Sequence, residues 1–290
     1  MLNDRVCRCA RNALLREIDL TPKPGLVDRN NNGSHIDMDY NLFCISIETI
    51  TPFFGIFCQY GRETAFSVAH TTLPGLREIG IKCERQMLAA TDRVNTHKGA
   101  IFSLALLCCS VGRLEARGEI ADISNVCRET SLICRKIIET DFHLAAEKTP
   151  QTSGEKIYRR YGLAGARGEA VSGFETVRLH AWPTYKTSMR MYNSREKSEL
   201  IALICLISRN NDSNIIARAG LTGLDFARGR AFRALSILEG KGYEDFLKDV
   251  WAMNDEFMAL NISPGGSADL LSVLGFFENI DQDISCEAVC

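Results

Sequence analysis

The sequence contains no Cys-x-x-Cys pair, no Gly-x-x-x-x-Gly-Lys-Ser/Thr phosphate loop and no Gly-x-Gly-x-x-Gly fingerprint following a strand. The first absence removes zinc knuckles and thioredoxin-type redox sites. The other two remove the P-loop and Rossmann architectures. Strict apolar–polar alternation over a strand's length is missing as well, so a sheet-based fold has little to build on. Excess charge of either sign is lacking: the net charge is -2 and the pI about 6.2. A duplex nucleic acid partner, which demands a basic surface, is not expected, and any bound polyanion must be met by a local basic cluster. The longest apolar stretch, 101–111, stops well short of the roughly 20 residues that cross a bilayer. The first 16 residues mix charged and apolar groups, unlike a secretory leader.

The 12 cysteines are irregularly placed, with Cys7 near Cys9, Cys108 beside Cys109, and Cys286 and Cys290 at the tail. They read as reduced, buried thiols. The expectation is a soluble cytoplasmic protein with neither nucleic acid nor membrane as partner. Oligomeric state stays open, a homo-oligomer among the options. An apolar content of 46% against 24% charged residues is that of a folded chain, and 290 residues suffice for one large core or two ordinary domains.

What is present is helical periodicity. Val6, Ala10, Ala13, Leu14 and Ile18 recur at three- and four-residue steps, predicting a first helix that ends near Leu20. Further helices are predicted over 39–60 (interrupted at Pro52), 73–94, 97–116, 123–142, 169–182, 196–208, 224–238, 243–260 and 268–277. The helix 97–116 is apolar on nearly all sides, as a central core helix should be. His70, His143, His180, Trp182 and Trp251 read as structural. The fold expected is all-α: a single-domain multi-helix globular bundle over 1–290, with functional loops between helices.

Five polar junctions interrupt this pattern. The first, Thr21-Pro-Lys-Pro-Gly-Leu-Val-Asp-Arg-Asn-Asn-Asn-Gly-Ser-His35, breaks the incoming helix and carries Lys23, Asp28, Arg29, Asn31 and His35. Alone it fits a solvated loop as well as a site. The second, Asn95-Thr-His-Lys-Gly99, opens the most apolar helix. Thr96 reads as N-cap, with His97 and Lys98 in the first turn, where a phosphate can be held. The third carries Gly162, Gly165 and Gly168, with Arg167 as a planar fork for phosphate and Glu169 as acid, base or ligand. A glycine-rich cap with Glu169 in a capping role fits it too. In the fourth, Asp212 and Asn214 suit oxygen ligation of Mg²⁺, or Asp212 simply caps the next helix. In the fifth, Gly265, Gly266 and Ser267 open a helix and offer backbone N–H groups to an anion, as a plain helix start also does.

Taken together, the blocks Lys23-Pro-Gly-Leu-Val-Asp-Arg-Asn-Asn-Asn-Gly-Ser-His35, Asn95-Thr-His-Lys-Gly-Ala100, Gly165-Ala-Arg-Gly-Glu-Ala170 and Ile262-Ser-Pro-Gly-Gly-Ser-Ala-Asp269 resemble the triphosphoribosyl-dephospho-CoA synthase family, CitG-like with its MdcB counterpart. The match runs in order from Thr21 to about Leu271. It implies an all-α transferase that joins ATP to 3′-dephospho-CoA, releases adenine and makes the prosthetic-group precursor of citrate lyase or malonate decarboxylase. It also implies one displacement at the ribose C1′ with inversion, through an oxocarbenium-like transition state, with Mg²⁺ as cofactor.

On that footing Lys23, Lys98, Arg167 and Arg218 would hold phosphates, with Gly265, Gly266 and Ser267 assisting. Arg29, Asn31, His35, His97 and Asn214 would bind substrate. Asp28, Asp37 and Asp212 would ligate metal or act as base, and Glu169 leads as acid/base. An N-glycohydrolase using water as acceptor, or a non-catalytic nucleotide-binding protein, is the alternative. Ile36, Ala105 and Ala219 depart from the family pattern, Ala219 standing where a glycine with positive φ could be required.

Overall fold

The computed structural model describes residues 2–143 and 152–287, with the side chains of 2, 3, 143 and 282–287 outside that description. The expectations for His143, Cys286 and Cys290 therefore lie outside the described residues. Twelve α-helices are described: α1 (Leu2–Asp19), α2 (Tyr40–Glu63), α3 (Leu73–Ala90), α4 (Lys98–Ala116), α5 (Ile123–Cys134), α6 (Ser153–Tyr161), α7 (Gly165–Val171), α8 (Trp182–Tyr192), α9 (Arg195–Arg209), α10 (Ser213–Lys241), α11 (Tyr243–Ala259) and α12 (Gly265–Glu287). No strand occurs among the described residues, so the all-α expectation holds.

The core forms around α4, which is buried along most of its length and packs on α2, α3, α5 and α12. Two glycines let α2 and α4 approach closely: a Cβ on Gly61 would overlap the Cys109 carbonyl, and one on Gly112 the Cys58 carbonyl. By length and composition alone α2 and α4 could cross a membrane. In this fold 78% of the apolar window of α4 is buried in the protein, which makes it a core helix. A buried and a part-buried arginine are paired with carboxylates. Arg113 of α4 bonds Glu129 at 2.6 Å and Thr72 at 2.9 Å, and Arg16 joins α1 to Glu199 of α9 and Glu278 of α12. All ten described cysteines are free thiols.

Several boundaries differ from expectation. α2 runs unbroken through Pro52, because that residue faces solvent, where the carbonyl it leaves unpaired can meet water, while Ile50, Phe54 and Phe57 hold the helix in the core. The helix expected over 169–182 divides into α7 and α8, since Gly173 and Phe174 adopt positive φ and a π-helical turn, Val177–Ala181, follows. The one expected over 123–142 stops at Cys134, with a second π turn at Glu139–His143. α6 stands where only a junction was read, started by a capping box between Thr152 and Glu155. α10 begins eleven residues early and kinks at Gly220 (φ +70°); Gly220, not Ala219, needs the positive φ, so that departure is accommodated.

Candidate active site

The junctions converge on one cavity of about 1150 Å³, lined from the α1–α2 loop, the start of α4, α3, α7 and the starts of α10 and α12. Single small-ligand sites run to about 300–1,000 Å³, so there is room for more than one small substrate. Of the residues singled out in the sequence, Lys23, His35, Asp37, His97, Lys98, Arg167, Glu169, Asn214, Arg218, Gly265 and Gly266 line it. Asp28, Arg29, Asn31, Asp212 and Ser267 do not.

The reason in the first loop is local. The Asp28 carboxylate accepts the backbone N–H groups of Lys23 (3.0 Å), Asn30 (2.7 Å) and Asn31 (2.9 Å), so it organises its own loop rather than facing the cavity. Arg29 turns away to Asp19 at 2.8 Å, over the Tyr40 ring, and the Asn31 side chain caps the Gly33 N–H at 2.8 Å. Lys23 is fully buried and paired with Glu17 of α1; burial pushes the Glu17 carboxyl up while the Lys23 charge opposes it. His35 bonds Ser263 at 2.8 Å through Nε2, with Nδ1 3.5 Å from Asp37. Burial, then the Arg218 charge, lowers the pKa of His35. Ile36 is fully exposed between them.

At α4 the expected cap is corrected. Thr96 does not cap; its hydroxyl donates to Ser46 of α2 at 2.7 Å, and Asn95 takes the Lys98 N–H at 3.2 Å. His97 occupies the N-cap position, and the Lys98 ammonium lies 3.2 Å from Glu84. The helix start, read as a phosphate site, already faces a carboxyl group. Asp269 of α12 accepts the Ala100 N–H, and a Cβ on Gly99 would overlap its carboxylate. Burial, and then the like charges of Asp212 and Glu17, push the Asp269 pKa well above the ordinary range.

The Gly265-Gly266-Ser267 nest is corrected on the same ground. Asp212, at the N-cap of α10, takes the N–H groups of Gly266 (3.2 Å) and Ser267 (2.8 Å) and the Ser267 hydroxyl (2.9 Å). Its oxygens are consumed by α10 and α12. Arg218 likewise spans Ser34 and Asn261.

On the far wall Arg167 bonds Asp141 at 2.7 Å, and Arg77 of α3 bonds the same carboxylate at 2.6 Å. Two guanidiniums thus share one carboxylate, leaving net positive charge on the cavity wall. Glu169 accepts the Thr176 N–H and hydroxyl; burial raises its pKa against those hydrogen bonds. Among the described residues no three metal-binding side chains converge, and Asp28, Asp37 and Asp212 do not come together. Asp37 alone of the three opens on the cavity. A Mg²⁺ carried by substrate phosphates and touching one carboxylate is compatible with that wall; a cage made only of protein is not.

Sequence reading missed Glu17, Arg77, Asp141 and Asp269. Asp269 sat inside a quoted block but was assigned no role. The others lie in or beside helices without any motif, and only packing brings them to the cavity.

A cavity lined together by arginines, lysines and carboxyls of raised pKa is the site of an enzyme for a phosphorylated substrate. The family model for ATP:dephospho-CoA triphosphoribosyl transferase, CitG, matches residues 3–286, and the chain belongs to that family. A protein of Vibrio cholerae serotype O1, described as a probable 2-(5''-triphosphoribosyl)-3'-dephosphocoenzyme-A synthase, is 42% identical over 91% of this chain and 84% of its own length. One from Albidiferax ferrireducens with the same description is 40% identical over 99% and 94%. The synthase of Pectobacterium atrosepticum is 42% identical over 90% and 84%. No solved structure matches the chain. A glycohydrolase or a non-catalytic binding protein is not favoured by these relatives.

Proposed function

We propose that the cavity joins ATP to 3′-dephospho-CoA, giving 2′-(5″-triphosphoribosyl)-3′-dephospho-CoA and adenine. The observation that carries this reading is one cavity lined by both the Arg77–Asp141–Arg167 cluster and the raised carboxyls Glu169 and Asp269. Arg77 and Arg167, with Lys98, hold the triphosphate. Asp37 would be the protein's ligand to a Mg²⁺ bound with the nucleotide, which would supply further neutralisation of the phosphate charge.

The chemistry is a substitution at the ATP ribose C1′. The 2′-hydroxyl of dephospho-CoA forms the new C–O bond as the C1′–N bond to adenine breaks and its electron pair leaves with the base. Glu169 takes the proton of the attacking hydroxyl. Burial that raises its pKa makes it a better acceptor at neutral pH than an ordinary carboxylate. Asp269, whose carboxyl is pushed toward the protonated form by burial and by Asp212 and Glu17, delivers a proton to the departing adenine. Exchange with solvent restores both carboxyls.

Mass spectrometry of the product from ATP and dephospho-CoA tests the reading. Adenine release that requires dephospho-CoA is the expected result. Adenine freed equally without the acceptor would make the protein a hydrolase, and no adenine under either condition would make it a binding protein.

A further inference from the structure

His97 is 3% exposed, stands in the cavity wall, and its Nε2 has no hydrogen-bond partner in the protein. Buried polar atoms are nearly always bonded, so an unpartnered nitrogen on a residue of the cavity wall calls for a partner that the protein does not supply. Its other nitrogen is fixed by two neighbours. Thr96 donates its hydroxyl to Ser46 at 2.7 Å, and Ser46 keeps its own proton to offer to His97 Nδ1, also 2.7 Å away. With Nδ1 accepting that proton, a neutral ring carries its own on Nε2. Full burial, and secondarily the nearby Lys23 ammonium, oppose a second proton and hold the pKa down to about 3. The Phe43 ring meets the imidazole edge-on at 4.8 Å, and Met87 takes the backbone N–H of His97 at 3.3 Å.

We propose that His97 is a neutral donor locked in the Nε2–H tautomer, and that it bonds a ring nitrogen of the departing purine rather than a phosphate. This rests on reading the cavity as the ATP site. An uncharged N–H beside an aromatic edge suits a flat heteroaromatic acceptor. The guanidiniums suited to phosphate, Arg77 and Arg167, are gathered on Asp141. As the C1′–N bond breaks, its electron pair spreads over the purine ring nitrogens. A fixed N–H stabilises that charge without giving up its proton, which arrives from Asp269. Asp269 bonds Ala100, three residues after His97, so donor and acid meet the base at the same helix start.

The test is a long-range ¹H–¹⁵N spectrum of the full chain labelled with ¹⁵N-histidine, the His97 signals identified by their loss in His97→Gln. The expected pattern is Nε2–H with bare Nδ1, unchanged between pH 8 and pH 5. An Nδ1–H tautomer, or a ring titrating near pH 6, overturns the proposal. Addition of ATP should shift Nε2 while tripolyphosphate should not. ATP binding that leaves His97 unmoved removes the purine contact alone, whereas failure to bind ATP at all removes the reading beneath it. In turnover, His97→Phe should lower kcat about 10²-fold or more, the loss typical of one transition-state donor. His97→Gln, which can present an N–H at the same point, should recover part of that loss. Equal kcat in the two variants would count against the donor role.

Discussion

The Asp212 carboxylate accepts both the backbone N–H of Ser267 at 2.8 Å and its hydroxyl at 2.9 Å, so one side chain ties the start of α10 to the start of α12. Both helices contribute to the cavity, and their relative position depends on this tie. Asp212→Ala strips an N-cap and leaves buried donors without partners, at a cost of about 2–4 kcal/mol. Urea unfolding should show that loss equally with and without Mg²⁺. A loss seen only when Mg²⁺ is present would return Asp212 to the role of metal ligand.

Asp269 gives a pH signature. Its pKa is higher in the folded protein than in the unfolded chain, where an aspartate titrates near about 3.9. The stability this contributes is complete below that unfolded value and is lost as pH rises through the raised folded value. Asp269→Asn removes the loss, so the variant should melt higher than the parent at pH 8, by at least about 2 °C, and the gap should close toward pH 4. Activity should fall at every pH. A variant less stable at pH 8 would show that the carboxylate is a structural cap.

Gly99→Ala probes the same carboxylate from the other side. The added methyl would overlap Asp269, so the acid must move away from the start of α4. Adenine release should drop at least about tenfold while circular dichroism stays that of the parent, since small displacements at reacting groups are costly. Unchanged kcat would place the chemistry elsewhere in the cavity.

Glu169→Gln should lose about 10²–10⁴-fold in turnover, the usual worth of a positioned base, while ATP binding measured by calorimetry is retained. Adenine release at the parent's rate would remove Glu169 from the reaction.

The phosphate wall separates by exposure. Lys98 is half-exposed and faces Glu84, so Lys98→Ala should raise the KM for ATP only a few-fold. Arg77→Ala leaves Arg167 alone to balance Asp141 and should raise it about tenfold, an amount equal to ~1.4 kcal/mol. Steady-state kinetics with varied ATP decides both, and an unaltered KM in Arg77→Ala would contradict the phosphate role.

Much of this protein was legible residue by residue. The apolar run of α4 specifies a core helix wherever it is placed, because no face of it can be left in water. The prolines and glycines of 21–35 stop α1 without help from any neighbour, and the quoted blocks were enough to name the family. Pro52 was misread as a break and Ala219 left an open question for the opposite reason: solvent exposure at one and the neighbouring Gly220 at the other settle the backbone, and neither is a property of a single position.

Residue types and local spacing determined that this chain is helical and carries cationic and acidic junctions. Tertiary structure alone decided which of those groups face the cavity. Asp28 and Asp212 look like reactive carboxylates in the sequence, yet backbone N–H groups claim them. Arg77 and Asp269, unremarked in sequence, become site residues once helices far apart in the chain pack together. The physical reason is that hydrogen-bond satisfaction and desolvation depend on what lies within a few ångströms in space, and chain order does not encode that distance.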